Sequence, residues 1–250
     1  MLIGIHLGCY GKELAKEGIK LSLYDAVQTA LSVPGVERLR LGSLESVEVE
    51  TRLLELMAKD PRLCHHLHLP LQSGCDKILK SMHRPYDTAR FSELLKEIRS
   101  YVPDIAVTTD IIVGFPGETE EDFEETLAFA KSCGFAKMHI FPYSKRKGTP
   151  AEKMPDQVEE QVKQERAARL SELDKEMQHE SMSYWIGKDV TVQFEQPVDD
   201  SHVEGLCGAY MRVVVKGSQE LCDQIRTVHI VGVEDDYLVC LLYTSPSPRD

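Results

Sequence analysis

Over the first 142 residues, short continuous apolar runs alternate with stretches in which apolar residues recur every three or four positions. The runs fall at residues 2–7, 36–41, 64–69, 106–113 and 137–141, each followed closely by glycine, proline or polar turn residues. Such runs predict strands covered on both faces, and the three-and-four spacing predicts amphipathic helices. Ser22 with Asp25 opens the first helix, whose inner face is Leu23, Ala26, Val27, Ala30 and Leu31, and Pro34-Gly35 ends it. A second helix over about residues 47–58 carries Leu53, Leu54 and Met57; further helices cover residues 76–82 and 88–102, the latter with Phe91, Leu94, Leu95 and Ile98 on one face. Thr119 with Asp122 forms a capping box for a fifth helix that buries Phe123, Leu127 and Ala130 and stops at Gly134. Five strand–helix units without hairpin signals predict an α/β architecture, a parallel sheet with helices outside. Five strands are too few for the usual eight-stranded closure, so the expectation is an incomplete (β/α) barrel or open crescent spanning residues 1–154.

The pattern then changes twice. Residues 155–185 are rich in Glu, Gln, Lys and Arg, with Val158, Val162, Leu170, Leu173 and Met177 as a thin apolar stripe, which predicts one long linking helix. After Gly187 the period becomes two: Val190, Val192, Phe194; Met211, Val213, Val215; Val228, Ile230, Val231; Leu238, Val239, Leu241. Several short strands in residues 186–242 predict a small antiparallel β-barrel of OB-like size. The tail, residues 243–250, abandons the pattern; it reads as disordered and resembles a scar of library or assembly sequence.

Composition narrows the function class. No run of 18 apolar residues occurs and the start lacks a basic, cleavable leader pattern, so a cytoplasmic protein without a membrane partner is expected. The seven cysteines are odd in number and scattered, with no C-x-x-C, which predicts reduced thiols rather than a disulfide frame or a self-contained metal site. A net charge of −12 argues against a generally basic nucleic-acid binder and leaves any RNA contact to local basic patches.

Candidate chemistry gathers at the predicted strand ends: Gly8; Ser43 with Glu45; Gln72 with Ser73; Asp110 with Gly114, Phe115, Pro116, Gly117 and Glu118; and Tyr143 with Lys145, Arg146 and Lys147. In a parallel sheet these share one rim, where α/β proteins bind ligands. The set is rich in hydrogen-bonding groups and poor in nucleophiles, which suits a polar cofactor such as a nucleoside. Gly114 and Gly117 would let backbone N–H groups approach it, or would simply serve the turn. The basic triplet suits phosphate, or a solvated loop. His66 and His68 lie on one face of a strand in the H-x-H arrangement of metal hydrolases, with His139 and Asp110 as the remaining donors; a histidine near a cofactor or bonded in the core is the favoured alternative, and no metal is assigned.

The segments Gly4-Ile-His-Leu-Gly8 with Tyr10-Gly11, Arg40-Leu-Gly-Ser-Leu-Glu45, His68-Leu-Pro-Leu-Gln-Ser-Gly74, Thr109-Asp-Ile-Ile-Val-Gly-Phe-Pro-Gly-Glu-Thr119, and Tyr143-Ser144 through Arg146 and Gly148-Thr149 together resemble the radical S-adenosylmethionine methylthiotransferases. Within that family they are most similar to the branch acting on threonylcarbamoyladenosine in tRNA. The resemblance implies a methylthio transfer onto C2 of the hypermodified adenosine beside the anticodon, with S-adenosylmethionine and two [4Fe-4S] clusters as cofactors and the tRNA anticodon loop as partner; no protein partner is implied. It implies that Gly8, Ser43, Glu45, Gln72, Ser73, Asp110 and residues 114–118 border S-adenosylmethionine, that Tyr143 and residues 145–147 meet the RNA, and that the small barrel is TRAM-like. A sister activity on a ribosomal protein, or a non-catalytic RNA-binding protein on the same scaffold, are the alternatives. The family's C-x-x-x-C-x-x-C loop and its three amino-terminal cysteines have no counterpart here, so the chain is expected to be a carboxyl-terminal fragment with five of six barrel strands, inactive as it stands. Residues 186–242 also carry four Lys or Arg against ten Asp or Glu, which weakens the case for RNA binding by that module alone.

Overall fold

A computed structural model describes residues 1–243, which divide into two compact units, residues 1–177 and residues 178 onward. In the first, β1 (His66–His68), β2 (Ala106–Val113) and β3 (Lys137–Pro142) form a parallel sheet in the order β1-β2-β3. The register pairs His68 with Thr108 and Asp110 with His139. The first two predicted strands are not formed as strands. Residues 2 and 39–43 contribute only isolated parallel bridges, Leu2 to Leu41, Leu39 to Leu63 and Ser43 to His68, and residues 7–9 turn as a short 3-10 helix instead. Gly4 within the first segment and Gly8 just after it, and Gly42 just after the second, deprive them of the β-branched side chains that stiffen an extended chain.

The helices follow their sequence signals closely: α1 (Leu23–Ser32), α2 (Thr51–Lys59), α3 (Asp76–Ser81), α4 (Thr88–Tyr101) and α5 (Glu120–Cys133). At α5 the Asp122 carboxylate accepts the Thr119 N–H at 2.8 Å, the Thr119 hydroxyl accepts the Asp122 N–H at 3.2 Å, and Gly134 ends the helix in the left-handed region at φ 59°. The helix faces that carry Leu53, Leu54, Met57, Phe91, Ile98, Phe123 and Ala130 bury into one core with Leu67, Val107, Ile111 and Val113 of the sheet. Each fully buried large side chain there contributes about 1.5–3 kcal/mol.

The helix expected as a linker, α6 (Glu160–Ser183), belongs for most of its length to the first unit. It docks with Leu170 and Met177, as the apolar stripe predicts, and also with polar groups that the stripe does not show: Lys163, Arg166 and Asp174 are buried. Asp174 accepts the Met138 N–H of β3 at 2.7 Å.

The second unit contains a closed five-stranded barrel: β4 (Asp189–Pro197), β5 (His202–Cys207), β6 (Arg212–Lys216), β7 (Ile225–Glu234) and β8 (Tyr237–Leu242), in the order β4-β5-β6-β8-β7. The pairing is antiparallel except at the closing pair β6·β8, which is parallel. Val190, Val192, Phe194, Val213, Val215, Val228 and Ile230 point inward as their spacing predicts. In β8 the inward pair is Leu238 and Cys240, while Leu241 is 60% exposed; Val231, next to the β7 irregularity at Ile230/Gly232, is also exposed. A Cβ at Gly205 would lie 2.0 Å from the Gln193 carbonyl oxygen, so only glycine fits where β4 bulges against β5. Of the predicted tail, Tyr243 is described and its hydroxyl donates to Asp189 at 2.6 Å; residues 244–250 lie outside the described residues.

Candidate functional site

The two faces of β2 differ in chemistry because successive side chains point to opposite sides. Val107, Thr109, Ile111 and Val113 face the helices, and the Thr109 hydroxyl is consumed locally, donating to the Leu69 carbonyl at 2.7 Å and accepting the Leu71 N–H at 2.9 Å. Thr108, Asp110 and Ile112 alternate with that set, and register sets Thr108 beside His68 of β1 and Asp110 beside His139 of β3. Past the strand ends, a cavity of about 490 Å³ is lined by Gln72, Asp110, Ile112, Phe141, Tyr143 and Arg146, among others. That volume suits a small-molecule ligand.

Gln72 holds φ 71°, a left-handed backbone uncommon for a residue other than glycine. Its N–H donates to the Asp110 carbonyl at 2.8 Å and its carbonyl accepts the Ile112 N–H at 2.9 Å, which spends the backbone on β2 and leaves the amide side chain for the cavity wall. The Tyr143 hydroxyl is buried without a hydrogen-bond partner among the described residues, an uncompensated polar group beside a cavity. Lys145, Arg146 and Lys147 are exposed, and none is ion-paired among the described residues.

The remaining expected site residues are placed elsewhere. Glu118 is buried: its two carboxylate oxygens accept the Gly114 N–H at 3.1 Å each, and Arg166 of α6 donates to Oε1 at 2.9 Å and to the Glu118 carbonyl at 3.1 Å. Burial pushes the Glu118 carboxyl above its ordinary range despite the Gly114 N–H and the Arg166 guanidinium. The Gly117 N–H donates to the Asp156 carbonyl and the Glu118 N–H to Phe115, so the backbone donors expected to approach a ligand at residues 114, 117 and 118 are already engaged. Gly114 has φ 73°, and a Cβ there would meet Lys163 Cγ at 2.3 Å; its glycine is required by the approach of α6. Phe115 and Pro116 are buried, Phe115 edge-on to Tyr143 at 5.4 Å and packed with Cys75 and Ile78. Ser73 is also buried, its hydroxyl on Thr126 at 3.3 Å and on the Cys75 N–H. Ser43 is exposed, Glu45 pairs with Arg84 at 3.3 Å, and Gly8 packs so tightly on Glu48 that a Cβ would lie 2.4 Å from it. Thus Gln72, Asp110, Tyr143 and Arg146 meet at the cavity, whereas Gly8, Ser43, Glu45, Ser73 and residues 114–118 do not line it. Ile112 and Phe141 join the site without having been singled out; the period-two relation to Asp110 and His139 is the signal that finds them.

The histidines sort by partner. His66 Nε2 and His68 Nδ1 both contact the Thr108 hydroxyl, at 3.0 and 2.9 Å, so the H-x-H pair does share a face. Burial, with Arg40, His68 and His139 nearby, pushes His66 down to about 3 and keeps it neutral. His68 Nε2 lies 3.3 Å from Asp110 Oδ2.

The family description "Radical SAM superfamily" matches residues 26–130. Threonylcarbamoyladenosine tRNA methylthiotransferase MtaB of Bacillus subtilis (strain 168) is 38% identical over 92% of this chain and 51% of its own length. A tRNA-2-methylthio-N(6)-dimethylallyladenosine synthase of Thermoanaerobacter sp. (strain X514) is 42% identical over 93% of this chain and 46% of its own length. Among solved structures, the radical SAM enzyme coproporphyrinogen III oxidase from Escherichia coli aligns with 54% of this chain and 32% of its own at 20% identity and a TM-score of 0.44, too slight a likeness to argue from. The chain spans about half the length of these curated relatives. Among the described residues no helix is long and apolar enough to cross a membrane. Residues 26–130 match the radical SAM superfamily, and the curated proteins named above, which the chain resembles along nearly its whole length, are tRNA methylthiotransferases.

Proposed function

We propose that this chain provides the cradle for cofactor and substrate in a tRNA methylthiotransferase, with S-adenosylmethionine bordered by Gln72, Asp110 and Tyr143 and the anticodon loop of tRNA approaching Lys145, Arg146 and Lys147. The observation that carries the reading is the cavity of about 490 Å³ at the carboxyl ends of parallel strands, where an amide, a carboxylate, an unpartnered phenol hydroxyl and a guanidinium converge. Asp110 offers acceptors for ribose hydroxyls or an ammonium, Gln72 offers both donor and acceptor, and the Tyr143 hydroxyl gains a partner once a polar ligand enters. S-adenosylmethionine, when bound, supplies the radical chemistry of the superfamily; these residues orient it and exclude water. The exposed, unpaired basic triplet offers charge to RNA phosphates at the cavity edge, and a target base in a single-stranded loop can be turned out toward it.

The residues present do not fit a cysteine-ligated iron–sulfur cluster. Among the described residues, which include all seven cysteines, neither of the two clusters of metal-donor side chains contains more than one thiol. Burial pushes Cys75, Cys133 and Cys240 up to about 12, away from the thiolate that iron needs. We derive no step through a cluster, and infer that the chain by itself binds S-adenosylmethionine without cleaving it.

The substrate in this reading is N6-threonylcarbamoyladenosine, supported by the relative of that name and its 92% coverage of this chain. The relatives named for dimethylallyladenosine support a second reading with that base. Calorimetry with S-adenosylmethionine and then with anticodon stem-loops carrying each modification tests both. Asp110→Asn is expected to weaken the cofactor at least tenfold, and the threonylcarbamoyl stem-loop to bind tighter. No cofactor binding, or binding indifferent to Asp110→Asn, would overturn the cradle, and preference for the dimethylallyl stem-loop would select the second reading.

A further inference from the structure

We propose that His68, Asp110 and His139 form a binding site for a divalent transition-metal ion beside the cavity, its remaining coordination positions reached from the cavity and taken by water or another oxygen ligand. The three side chains come from three successive strands, one each from β1, β2 and β3, and the register that sets Asp110 against His139 brings them together. Their donor atoms all lie within 4.8 Å of one another, and all three residues are partly accessible. Two imidazoles and one carboxylate are a donor set that zinc and iron(II) accept, with positions left over for exogenous ligands.

Two further observations favour an ion here. The Thr108 hydroxyl anchors His68 through Nδ1 at 2.9 Å, the arrangement by which metal-ligating histidines are oriented through the ring nitrogen that does not bind the metal. His68 Nε2 then lies 3.3 Å from Asp110 Oδ2, so a nitrogen lone pair and a carboxylate face each other unless a proton or a cation lies between them. Zinc-bound donors lie about 2.0–2.2 Å from the metal and hence roughly 3.3–3.6 Å from each other. The present spread requires the donors to close by about an ångström, a movement asked of the His139 ring and the Asp110 carboxylate, since Thr108 holds the His68 ring. Asp110 is both donor and cavity wall, which makes the open positions accessible from that side. His66, the partner that the H-x-H spacing suggests, is buried and does not belong to the group of converging donors; His139, distant in sequence, takes its place.

Asp110 is shared with the cofactor reading, so the site is tested with metal alone, and His139, which that reading does not use, separates the two. The full 250-residue chain, stripped with chelator, is titrated with Co²⁺ by absorption spectroscopy and with Zn²⁺ against a chromophoric competitor. One equivalent of Co²⁺ is expected, with visible d–d bands and no thiolate-to-cobalt charge-transfer band. His139→Ala and Asp110→Asn should each weaken binding at least tenfold, with His68→Gln read in their place if either variant melts below the parent chain. A second donor group, His6, Cys9 and Glu48, is the competing source, and Cys9→Ser should leave the affinity unchanged. The proposal is overturned by no stoichiometric uptake, by a thiolate band that disappears in Cys9→Ser, or by uptake undiminished in His139→Ala.

Discussion

Residues 1–177 draw polar groups inward, while the barrel of the second unit keeps its interior apolar. Every buried polar or charged residue among those described, from Ser46 and His66 to Arg166 and Asp174, belongs to the first unit. In the barrel, Val192, Phe194, Val213, Val228, Ile230 and Leu238 fill the interior at exposures of 0%. The first unit therefore depends on specific pairing of buried groups, and the second on packing alone. The difference bears on where a site can arise: among the described residues, the polar groups that converge inside the protein are in the first unit, whereas those of the second, such as Asp189 with His229, meet at its surface. The single tryptophan, Trp185, lies in the second unit and the helices α1–α5 in the first, so fluorescence and helical circular dichroism follow the two separately.

The largest effects should come from attacking each unit by its own mode of stabilisation. Arg166→Met strands the buried Glu118 carboxylate and is expected to cost about 3–5 kcal/mol in the helical transition on urea unfolding, leaving the Trp185 transition in place. Adding Glu118→Gln should recover much of the loss, because a neutral amide is cheaper to bury than a charge. Phe194→Ala is the reciprocal experiment: a cavity in the barrel should cost about 3–5 kcal/mol in the Trp185 transition and nothing in the helical one. If either variant shifts both transitions equally, the units do not unfold separately and the comparison fails.

A smaller effect tests the same contrast with two aspartates held down to about 2, Asp122 and Asp199. Burial alone would raise Asp122, but the Lys77 ammonium at 2.6 Å and the Thr119 N–H outweigh it. A carboxyl depressed in the folded chain stabilises it fully above the unfolded value near pH 4, and that stabilisation is lost as pH falls from 4 toward 2. Asp122→Asn should therefore cost about 1–2 kcal/mol at neutral pH, after allowance for the exposure of Lys77, and should flatten the acid limb of the helical transition. Asp199, bonded to the Ser201 N–H and to His202 in solvent, should give no resolvable change as Asp199→Asn.

The smallest perturbation is chemical. Cys9 and Cys222, one in each unit, are the only thiols not buried, and should react with an aromatic disulfide reagent in the native chain. The other five should react only on unfolding, those of each unit with that unit's transition. Fast reaction of Cys64 or Cys133 would contradict the closed core of the first unit.

Much of this organisation is legible in the chain. Capping residues at Ser22 and Thr119, the stop at Gly134 and the inward sets of α2, α4 and β4 can be read directly, because each depends on neighbours within a few residues. The first two strands are harder to read: their apolar content is sufficient, but whether an extended segment becomes a ladder depends on its partners, and here only single bridges form. In the site, Gln72, Asp110 and Arg146 are legible as strand-end polar residues, whereas the burial of Glu118 is not, because its partner Arg166 lies 48 residues away on a helix that composition marks as solvated.

By itself, the sequence determined which stretches form helices, the change from helical to alternating apolar spacing after Gly187, and the motifs that carry the resemblance. Those features are written in local spacing and short-range hydrogen bonds. Tertiary structure decided which of the strand-end groups face a common cavity, that Gly114, Gly117 and Glu118 spend their backbone donors on the protein itself, and that His139 rather than His66 joins His68 and Asp110. Strand register and helix docking set those outcomes, and both depend on residues far apart in the chain meeting at particular positions, which no local pattern encodes.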